Sequence, residues 1–253
     1  MGKLTTRIKS SKIMNKGVIK KVKDKIYFKF ISPREEKKTD KYRVELIKVV
    51  GEICKDVHWQ LMSGSFLKFY RDNTMDGQDL DFFVGRNDWD KVKDGFLKNK
   101  FLIKQVFFNE NNEITEYKYE YKGCDVDVFI VDKDKKGYSH RFVLENIGSK
   151  DIKKKIVGNT LMITGKDYVS YERRLPTFKD AVDYEYKGVK FRGPKDPEKY
   201  FLDSYGEGWR TPAKNEPRNG PANNMPILHE NAVSYLFEKA LKNYEEMFKD
   251  IKN

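Results

Sequence analysis

The chain of 253 residues carries 51 Lys and Arg against 39 Asp and Glu, which gives a formal net charge of +12. Aromatic residues make up 14% of it, which argues against a disordered chain because disordered segments are poor in them. The sequence has no run of ~18 uncharged apolar residues and no apolar signal-peptide segment, so we expect neither a membrane span nor secretion. Its two cysteines, Cys54 and Cys124, are too few for a disulfide scaffold or a four-cysteine zinc site. We therefore expect a cytoplasmic protein, and the positive charge indicates an anionic partner.

The first 25 residues are strongly basic, with nine Lys and Arg against the single acid Asp24. Met1–Thr6 fits the loose N-myristoylation pattern, and the basic flank would supply a second membrane signal. Peripheral membrane contact through residues 1–25 is therefore one interpretation, and a solvated basic terminus is the one we favour. The apolar run Ile26–Ile31 then predicts a short strand that ends at Ser32–Pro33.

The central part of the chain alternates between helical and strand-like patterns. Apolar residues at spacings of three and four predict a helix from Thr39 to about Val57, with Cys54 as a core residue. Six further elements are predicted in chain order. They are an apolar run into a Gly-Ser turn (Trp59–Leu67), a short helix (Phe66–Tyr70), a strand (Leu80–Val84), a helix (Asp88–Asn99), a hairpin (residues 101–122) and a strand (Cys124–Val131). This order predicts an α+β chain with a mixed sheet flanked by helices.

The C-terminal part gives weaker signals. We predict a short strand near Leu161–Thr164, a hairpin over Tyr184–Arg192 and a helix over Asp196–Gly206. Four prolines make Thr211–Pro226 an irregular loop. The apolar positions of His229–Lys252 predict a terminal amphipathic helix.

Acidic residues occur in two apolar strands, where carboxylates are costly unless something pairs with them. Asp79 and Asp81 open the first of these strands, and Asp125 and Asp127 lie in the second. Residues two apart share one face of a strand, so the members of each pair point the same way. Convergent carboxylates suit Mg²⁺, and two such ions can hold the attacking and leaving oxygens of an in-line phosphoryl displacement. We therefore expect a metal-dependent phosphoryl-transfer site, with Asp125 as a weaker ligand candidate than Asp127.

A Gly-Ser turn, Ser63–Ser65, precedes these strands. The backbone N–H groups at Gly64, the hydroxyl of Ser65 and the N-terminus of the next helix are suited to phosphate oxygens. Arg71 has two interpretations: a bidentate phosphate ligand, or a surface ion pair.

The order Gly-Ser, Asp-X-Asp and a later hydrophobic-Asp-hydrophobic resembles the nucleotidyltransferase superfamily, and more specifically its LicD/fukutin-type family. Four segments match that family: the helix before Trp59–Ser65, Arg71 at seven residues after Gly64, Asp79–Phe82, and Asp127–Asp132. A fifth match lies downstream, where the family has a proline, a leucine-bearing helix and Tyr-Gly-X-X-Trp near a proline: Pro194, Tyr200–Leu202 and Tyr205–Pro212. The resemblance covers roughly residues 40 to 212.

The resemblance implies an enzyme that transfers phosphocholine, or ribitol or glycerol phosphate, from a CDP-linked donor such as CDP-choline to a glycan hydroxyl. It implies that Asp79, Asp81 and Asp127 bind Mg²⁺ or Mn²⁺, as a pair of ions, and that Asp127 helps to deprotonate the acceptor. Tyr205 and Trp209 would line the acceptor or nucleotide pocket, although core packing is an equally good interpretation.

We accordingly divide the chain into a basic N-terminal segment (1–38), a nucleotidyltransferase-like catalytic core (39–212), and a loop with a C-terminal helix on the same domain (213–253). An alternative function keeps this fold but adds a nucleotide to RNA, a protein or a small molecule. The Tyr-Gly-X-X-Trp segment and the lack of interleaved arginine and aromatic residues argue against RNA, so we expect no nucleic-acid partner. A binding module without catalysis is the third interpretation.

Overall fold

These residues form an α+β fold in which a mostly antiparallel mixed sheet is flanked by helices, as the sequence predicts. The computed structural model describes residues 32–75, 79–109, 111–145, 153–157, 160–164, 168–175, 178–212, 227–230 and 233–252. The helices are α1 (Ser32–Ile53), α2 (Ser63–Asp72), α3 (Arg86–Lys98), α4 (Pro197–Tyr205) and α5 (Tyr244–Lys252). The strands are β1 (Trp59–Leu61), β2 (Asp79–Gly85), β3 (Leu102–Phe108), β4 (Ile114–Tyr121), β5 (Cys124–Asp134), β6 (Gly137–Glu145), β7 (Lys153–Val157), β8 (Thr160–Thr164), β9 (Tyr168–Arg174), β10 (Ala181–Tyr186), β11 (Val189–Pro194), β12 (Ile227–Glu230) and β13 (Val233–Leu241).

Strand β5 is the centre of the large sheet because it pairs with three other strands. It runs antiparallel to β4 and β6 and parallel to β2. The path through the sheet is β12-β9-β6-β5-β4-β3-β13-β8-β7, with β2 joined to β5 and β1 joined to β2. Strands β10 and β11 form a separate hairpin. The acidic ends of β2 and β5 are thus brought side by side.

A two-residue turn at Lys122–Gly123 fixes how β4 lies against β5. Both residues have positive φ angles, 50° and 82°, which is the backbone that two-residue hairpin turns require. The turn pairs Tyr121 with Cys124 and therefore Lys118 with Asp127. Local turn chemistry thus decides which side chain of β4 stands beside an acid of β5.

Helices α1 and α3 cover the sheet through apolar faces. Leu46 and Val50 of α1 and Cys54, the residue after its end, are buried at a spacing of four, which confirms that Cys54 is a core residue. Gly95 of α3 allows a close approach, since a Cβ there would lie 2.8 Å from Ile53 Cγ2. Among the described helices, none is long and apolar enough to cross a membrane.

Aromatic residues join α4 to α2 and α5 to the sheet. The ring of Phe66 stacks on Phe201 of α4 with centroids 5.5 Å apart. Helix α5 is attached through Tyr244, whose hydroxyl lies 2.8 Å from the Tyr119 hydroxyl and 3.0 Å from the Lys93 carbonyl oxygen. The C-terminal helix therefore packs on the same body as the acidic strands.

The predicted terminal helix over His229–Lys252 is wrong for most of its length. Residues 227–230 and 233–241 are strands, and only Tyr244–Lys252 is helical. Strand β13 lies between β3 and β8 and pairs with both. The apolar residues of this segment have the spacing of a helix, but its β-branched and aromatic residues also suit a strand. Hydrogen-bonding partners on both sides favour the strand.

Other boundaries differ by a few residues. Helix α1 begins at Ser32, so the expected border between residues 38 and 39 falls inside a helix. Its α-helical part ends at Ile53 rather than near Val57, because the chain turns there toward β1. The predicted strand Ile26–Ile31, the basic residues 1–25 and most of the predicted loop, 213–226, lie outside the described residues.

Candidate metal centre

The parallel pairing of β2 and β5 places two predicted acidic segments in the same register. Asp79 stands opposite Asp125, and Asp81 stands opposite Asp127. Alternate residues of adjacent strands share a face, so all four carboxylates start on one face of the sheet. The two segments are 46 positions apart in sequence, and the register aligns them without an offset.

Three of these carboxylates converge. Asp79, Asp81 and Asp127 each offer one oxygen, and these oxygens all lie within 4.8 Å of one another. Asp81 and Asp127 are buried, whereas Asp79 is half-buried at the start of β2. The structure therefore brings together the three residues that the sequence predicts as metal ligands.

Ser65, at the start of α2, holds Asp81 in place. Its backbone N–H and its hydroxyl donate to Asp81 Oδ2 at 3.2 and 3.1 Å. The same hydroxyl oxygen accepts the Asp81 backbone N–H at 3.0 Å. Gly64 is adjacent, since a Cβ there would lie 3.7 Å from Asp81 Oδ2. In this structure the Gly-Ser turn positions the Asp81 carboxylate. The contact of the turn with a donor phosphate stays a prediction.

The two carboxylate oxygens of Asp127 differ in their partners. One pairs with a lysine, and the other is buried and has no hydrogen-bond partner among the described residues. Lys118 of β4 places its Nζ 3.1 Å from Asp127 Oδ2. Asp127 Oδ1 is the orphaned atom. A buried acceptor without a donor is expensive, because its desolvation is not compensated. A cation at this point would remove that cost.

The electrostatics of the cluster are those of several acids that share one site. Burial, together with the charges of Asp79 and Asp127, raises the pKa of Asp81 to about 8. Burial and the charge of Glu116 raise the pKa of Asp127 well above its ordinary value. Burial alone would lower the pKa of the Lys118 ammonium, but the charges of Asp127 and Glu116 raise it overall. Lys118 therefore stays charged next to acids that resist ionisation.

The donor set fits a small, hard divalent cation. Carboxylate oxygens are the protein ligands that Mg²⁺ and Mn²⁺ take, usually one or two at a time, with waters and substrate phosphates in the other positions. Asp127 Oδ1 is an acceptor that a cation would satisfy, and the raised pKa of Asp81 shows that the acids resist ionising together without further positive charge. Asp79, Asp81 and Asp127 are the residues that would hold the ion.

Asp125 is not part of this convergence. Its carboxylate forms an ion pair with Lys104 of β3 at 2.5 Å and is about 40% exposed. Asp127 rather than Asp125 is thus the third member of the cluster, as the sequence favoured.

The remaining predicted site residues form a second cluster around the end of α2. Arg71 bonds the Asp72 carboxylate at 2.7 and 2.9 Å and donates to the Trp209 carbonyl oxygen at 3.1 Å. Trp209 is buried against Phe201, and Tyr205 is 40% exposed. Arg71 lies six residues after Ser65, which is about 9 Å along a helix. The structure thus joins Arg71 to Asp72 and to the Tyr205–Trp209 segment, and not to the cluster of Asp79, Asp81 and Asp127.

Sequence reasoning missed three residues at the site. Glu116 is buried on β4, and burial and the charges of Asp79 and Asp81 outweigh the lowering effect of Lys118, so its pKa rises to about 7. Lys118 follows two residues later on the same face. The alternation of tyrosines along β4, combined with the two-residue turn, was the signal that could have found both.

The third missed residue is Arg43, which is fully buried in α1. Its Nη1 donates to the carbonyl oxygens of Met75 at 3.0 Å and Asp79 at 2.7 Å. It therefore fixes the backbone at the start of β2 and with it the position of Asp79. No signal within helix α1 marked Arg43, because its partners are 32 and 36 residues away.

Comparison of the chain with protein-family models finds no match, and comparison with curated proteins finds none either.

Proposed function

We propose that this protein is a metal-dependent transferase that moves a phosphoryl-linked group from a nucleoside-diphosphate donor to a hydroxyl acceptor. The observation that carries the proposal is the convergence of Asp79, Asp81 and Asp127 from two parallel strands, with oxygens within 4.8 Å. Phosphoryl transfer needs little covalent chemistry from the protein, and depends on positioning and charge compensation. A carboxylate-held cation bound to a diphosphate meets both needs.

The residues of the chain have separate tasks in this proposal. The three aspartates hold the cation, which when bound neutralises charge on the donor diphosphate. Ser65 orients Asp81 by its hydrogen bonds. Glu116 is the carboxylate available to accept a proton from the acceptor hydroxyl, because burial raises its pKa and it is not one of the three residues that hold the cation. Lys118 adds a fixed positive charge beside Asp127.

The donor we propose is a CDP-alcohol, such as CDP-choline, CDP-ribitol or CDP-glycerol, and the acceptor is a glycan. Two observations support this finer assignment. The sequence carries Tyr205-Gly206 and Trp209 in the order that resembles the LicD/fukutin-type family. Arg71, also part of that resemblance, donates to the Trp209 carbonyl oxygen, so segments 138 residues apart meet. Addition of a nucleotide to another molecule is the alternative chemistry for the same cation site.

A transfer assay followed by ³¹P NMR tests the proposal. The protein is incubated with Mg²⁺ or Mn²⁺, each CDP-alcohol in turn, and a panel of glycans, with CTP and ATP as alternative donors. The expected result is CMP release that requires the metal and a CDP-alcohol. Pyrophosphate release from CTP or ATP, with the nucleoside monophosphate joined to the acceptor, would favour the alternative. Release of either product that persists in excess EDTA would contradict both.

Matched variants separate the metal site from its surroundings. Asp79→Asn and Asp81→Asn each remove a ligand charge and are expected to lower the rate by at least about 100-fold, since even residues that only orient ligands cost 10- to 100-fold. Asp125→Asn is the control, because it changes the same kind of side chain on the same strand face but outside the cluster. Equal losses in Asp125→Asn and Asp79→Asn would mean that the cluster is not the reaction centre.

A further inference from the structure

The number of cations at this site can be read from the oxygens that remain available. Asp81 Oδ2 already accepts two hydrogen bonds, from the Ser65 backbone N–H at 3.2 Å and the Ser65 hydroxyl at 3.1 Å. A carboxylate oxygen has about two lone-pair positions, so both positions of Oδ2 are engaged. Asp81 therefore has Oδ1 left for a cation.

Asp127 is restricted in the same way by a different partner. The Lys118 ammonium lies 3.1 Å from Asp127 Oδ2, and the Lys118 side chain is only 29% exposed. Oδ1 is buried and has no hydrogen-bond partner among the described residues. A divalent cation at Oδ2 would meet a positive charge at contact distance, whereas a cation at Oδ1 would meet an unsatisfied acceptor.

A pair of catalytic cations is held about 3.5–4 Å apart by carboxylates that bind both ions. Asp81 and Asp127 offer one oxygen each, so only Asp79 has a second oxygen to give. We propose that the site holds one divalent cation, and that the Lys118 ammonium takes the place of a second one beside Asp127. This inference rests on the proposed function and replaces the pair of ions that the sequence led us to expect.

The position of Lys118 is stable enough for such a role. The turn at Lys122–Gly123 fixes Lys118 opposite Asp127 in the β4–β5 ladder. Glu116 shares the same strand face. The ammonium therefore lies on a face that carries two buried carboxylates, Glu116 and Asp127. As a compact point charge it can face a phosphate oxygen without the ligand geometry that a metal ion demands.

Direct counting of bound Mn²⁺ tests the inference without any activity measurement. The full chain is titrated with Mn²⁺, and bound ions are counted from the EPR signal of free Mn²⁺ and by calorimetry, with and without CDP. One Mn²⁺ per chain in both conditions is expected. Two ions in either condition would overturn the inference and leave the proposed metal-dependent function intact. No bound Mn²⁺ at all would remove the proposed function itself.

Variants of the lysine test its part in the count. Lys118→Met keeps the length of the side chain, removes the charge and is expected to raise the count from one Mn²⁺ to two. Lys104→Met is the matched control, because Lys104 pairs with Asp125 outside the cluster, and it should keep one ion. Lys118→Gln is measured in parallel, so that failure of one variant to fold leaves the test in place. A folded Lys118 variant that binds one ion with unchanged affinity would refute the inference that Lys118 takes the place of a second cation.

Discussion

Ser65 shows how much one small side chain does at the residue scale. Its hydroxyl donates to Asp81 Oδ2, accepts the Asp81 backbone N–H, and lies 3.2 Å from the Asp79 carbonyl oxygen. These bonds set both the position of the Asp81 carboxylate and the oxygen that it can offer. Because the hydroxyl stabilises the charged form of a buried acid, it opposes the pKa rise that burial causes.

Ser65→Ala is therefore expected to weaken the site without changing its ligands. We expect a loss of about 10-fold or more in Mn²⁺ affinity, as for other residues that orient metal ligands. We also expect a loss of about 1–2 kcal/mol in the free energy of unfolding, because a buried carboxylate loses a donor. Calorimetric Mn²⁺ titration and urea unfolding measure the two effects.

Ser63→Ala is the control for that variant. Ser63 belongs to the same turn, but it is its backbone N–H that bonds the Tyr200 hydroxyl, at 2.9 Å. The Mn²⁺ affinity of Ser63→Ala should stay well short of the roughly 10-fold loss expected for a residue that orients a ligand, because the Ser63 backbone N–H remains in the variant. An unchanged affinity in Ser65→Ala would show that Asp81 needs no support from the turn.

At the scale of elements, the β4–β5 hairpin was predictable and the β2–β5 pairing was not. The residues before and after Lys122-Gly123 alternate in polarity, and a two-residue turn leaves one register, which pairs Lys118 with Asp127. The parallel register that puts Asp81 opposite Asp127 depends on a crossover through α3, β3 and β4, and no local signal encodes it. The acidic pairs still predicted the three residues that converge, because carboxylates inside apolar strands are costly unless they are paired.

The helix predicted for the C-terminal segment was wrong because the local pattern there fits two structures. Val233–Leu241 satisfies the spacing of a helix and that of a strand, and tertiary context chose the strand by supplying β3 and β8 on its two sides. Arg43 could not be predicted either, since a buried arginine in a helix reveals its purpose only when the distant carbonyl oxygens that it binds are known.

Gly123→Ala tests the turn that fixes the hairpin. Gly123 has a φ of 82°, and an alanine there is strained although the space around it is open. We expect a loss of about 1 kcal/mol or more in the free energy of unfolding, measured in urea. Gly208 is the matched control, because a Cβ there also meets open space and its φ is not in the left-handed region, so Gly208→Ala should be close to neutral. Equal losses of unfolding free energy in the two variants would mean that an alanine at the left-handed position of the turn is not strained.

At the scale of the whole molecule, the net charge and the charge at the site have opposite signs. The chain has a net charge of +12, and nine of its Lys and Arg are in residues 1–25. Four acids nevertheless share one face of β2, β4 and β5, where Glu116 joins the three aspartates. The positive excess is therefore not a nucleic-acid signature in itself, and the local field at the site favours cations. Ion binding at this face should influence the stability of the whole sheet, because β5 pairs with three strands.

The pH dependence of stability follows from these raised pKa values. The pKa of Asp81 is about 8 in the folded chain and near its ordinary value of 3.8 when unfolded, so the folded state holds a proton that the unfolded state has lost. Such a group contributes stability below its unfolded pKa, and loses it as the pH rises through its folded pKa. Burial lowers the pKa of His58, but that contribution lies below the ordinary histidine pKa of 6.5. Burial also raises the pKa of the Cys54 and Cys124 thiols, but that contribution sets in near the ordinary thiol pKa of 9.0. The range from about pH 7 to pH 8.5 therefore reports mainly on the acids.

We expect the metal-free protein to lose about 1 kcal/mol of unfolding free energy between about pH 7 and pH 8.5, from the titration of Asp81 alone. Saturating Mg²⁺ should flatten this loss, because the bound cation replaces the protons and favours the ionised carboxylates. Urea unfolding at several pH values, with EDTA or with Mg²⁺, measures both curves. Metal-free Asp81→Asn should lose less stability over this range than the unchanged protein, because the Asp81 contribution is gone, whereas Glu116 and Asp127 keep raised pKa values. A metal-free chain whose stability rises over this range would mean that the buried acids are ionised without a cation.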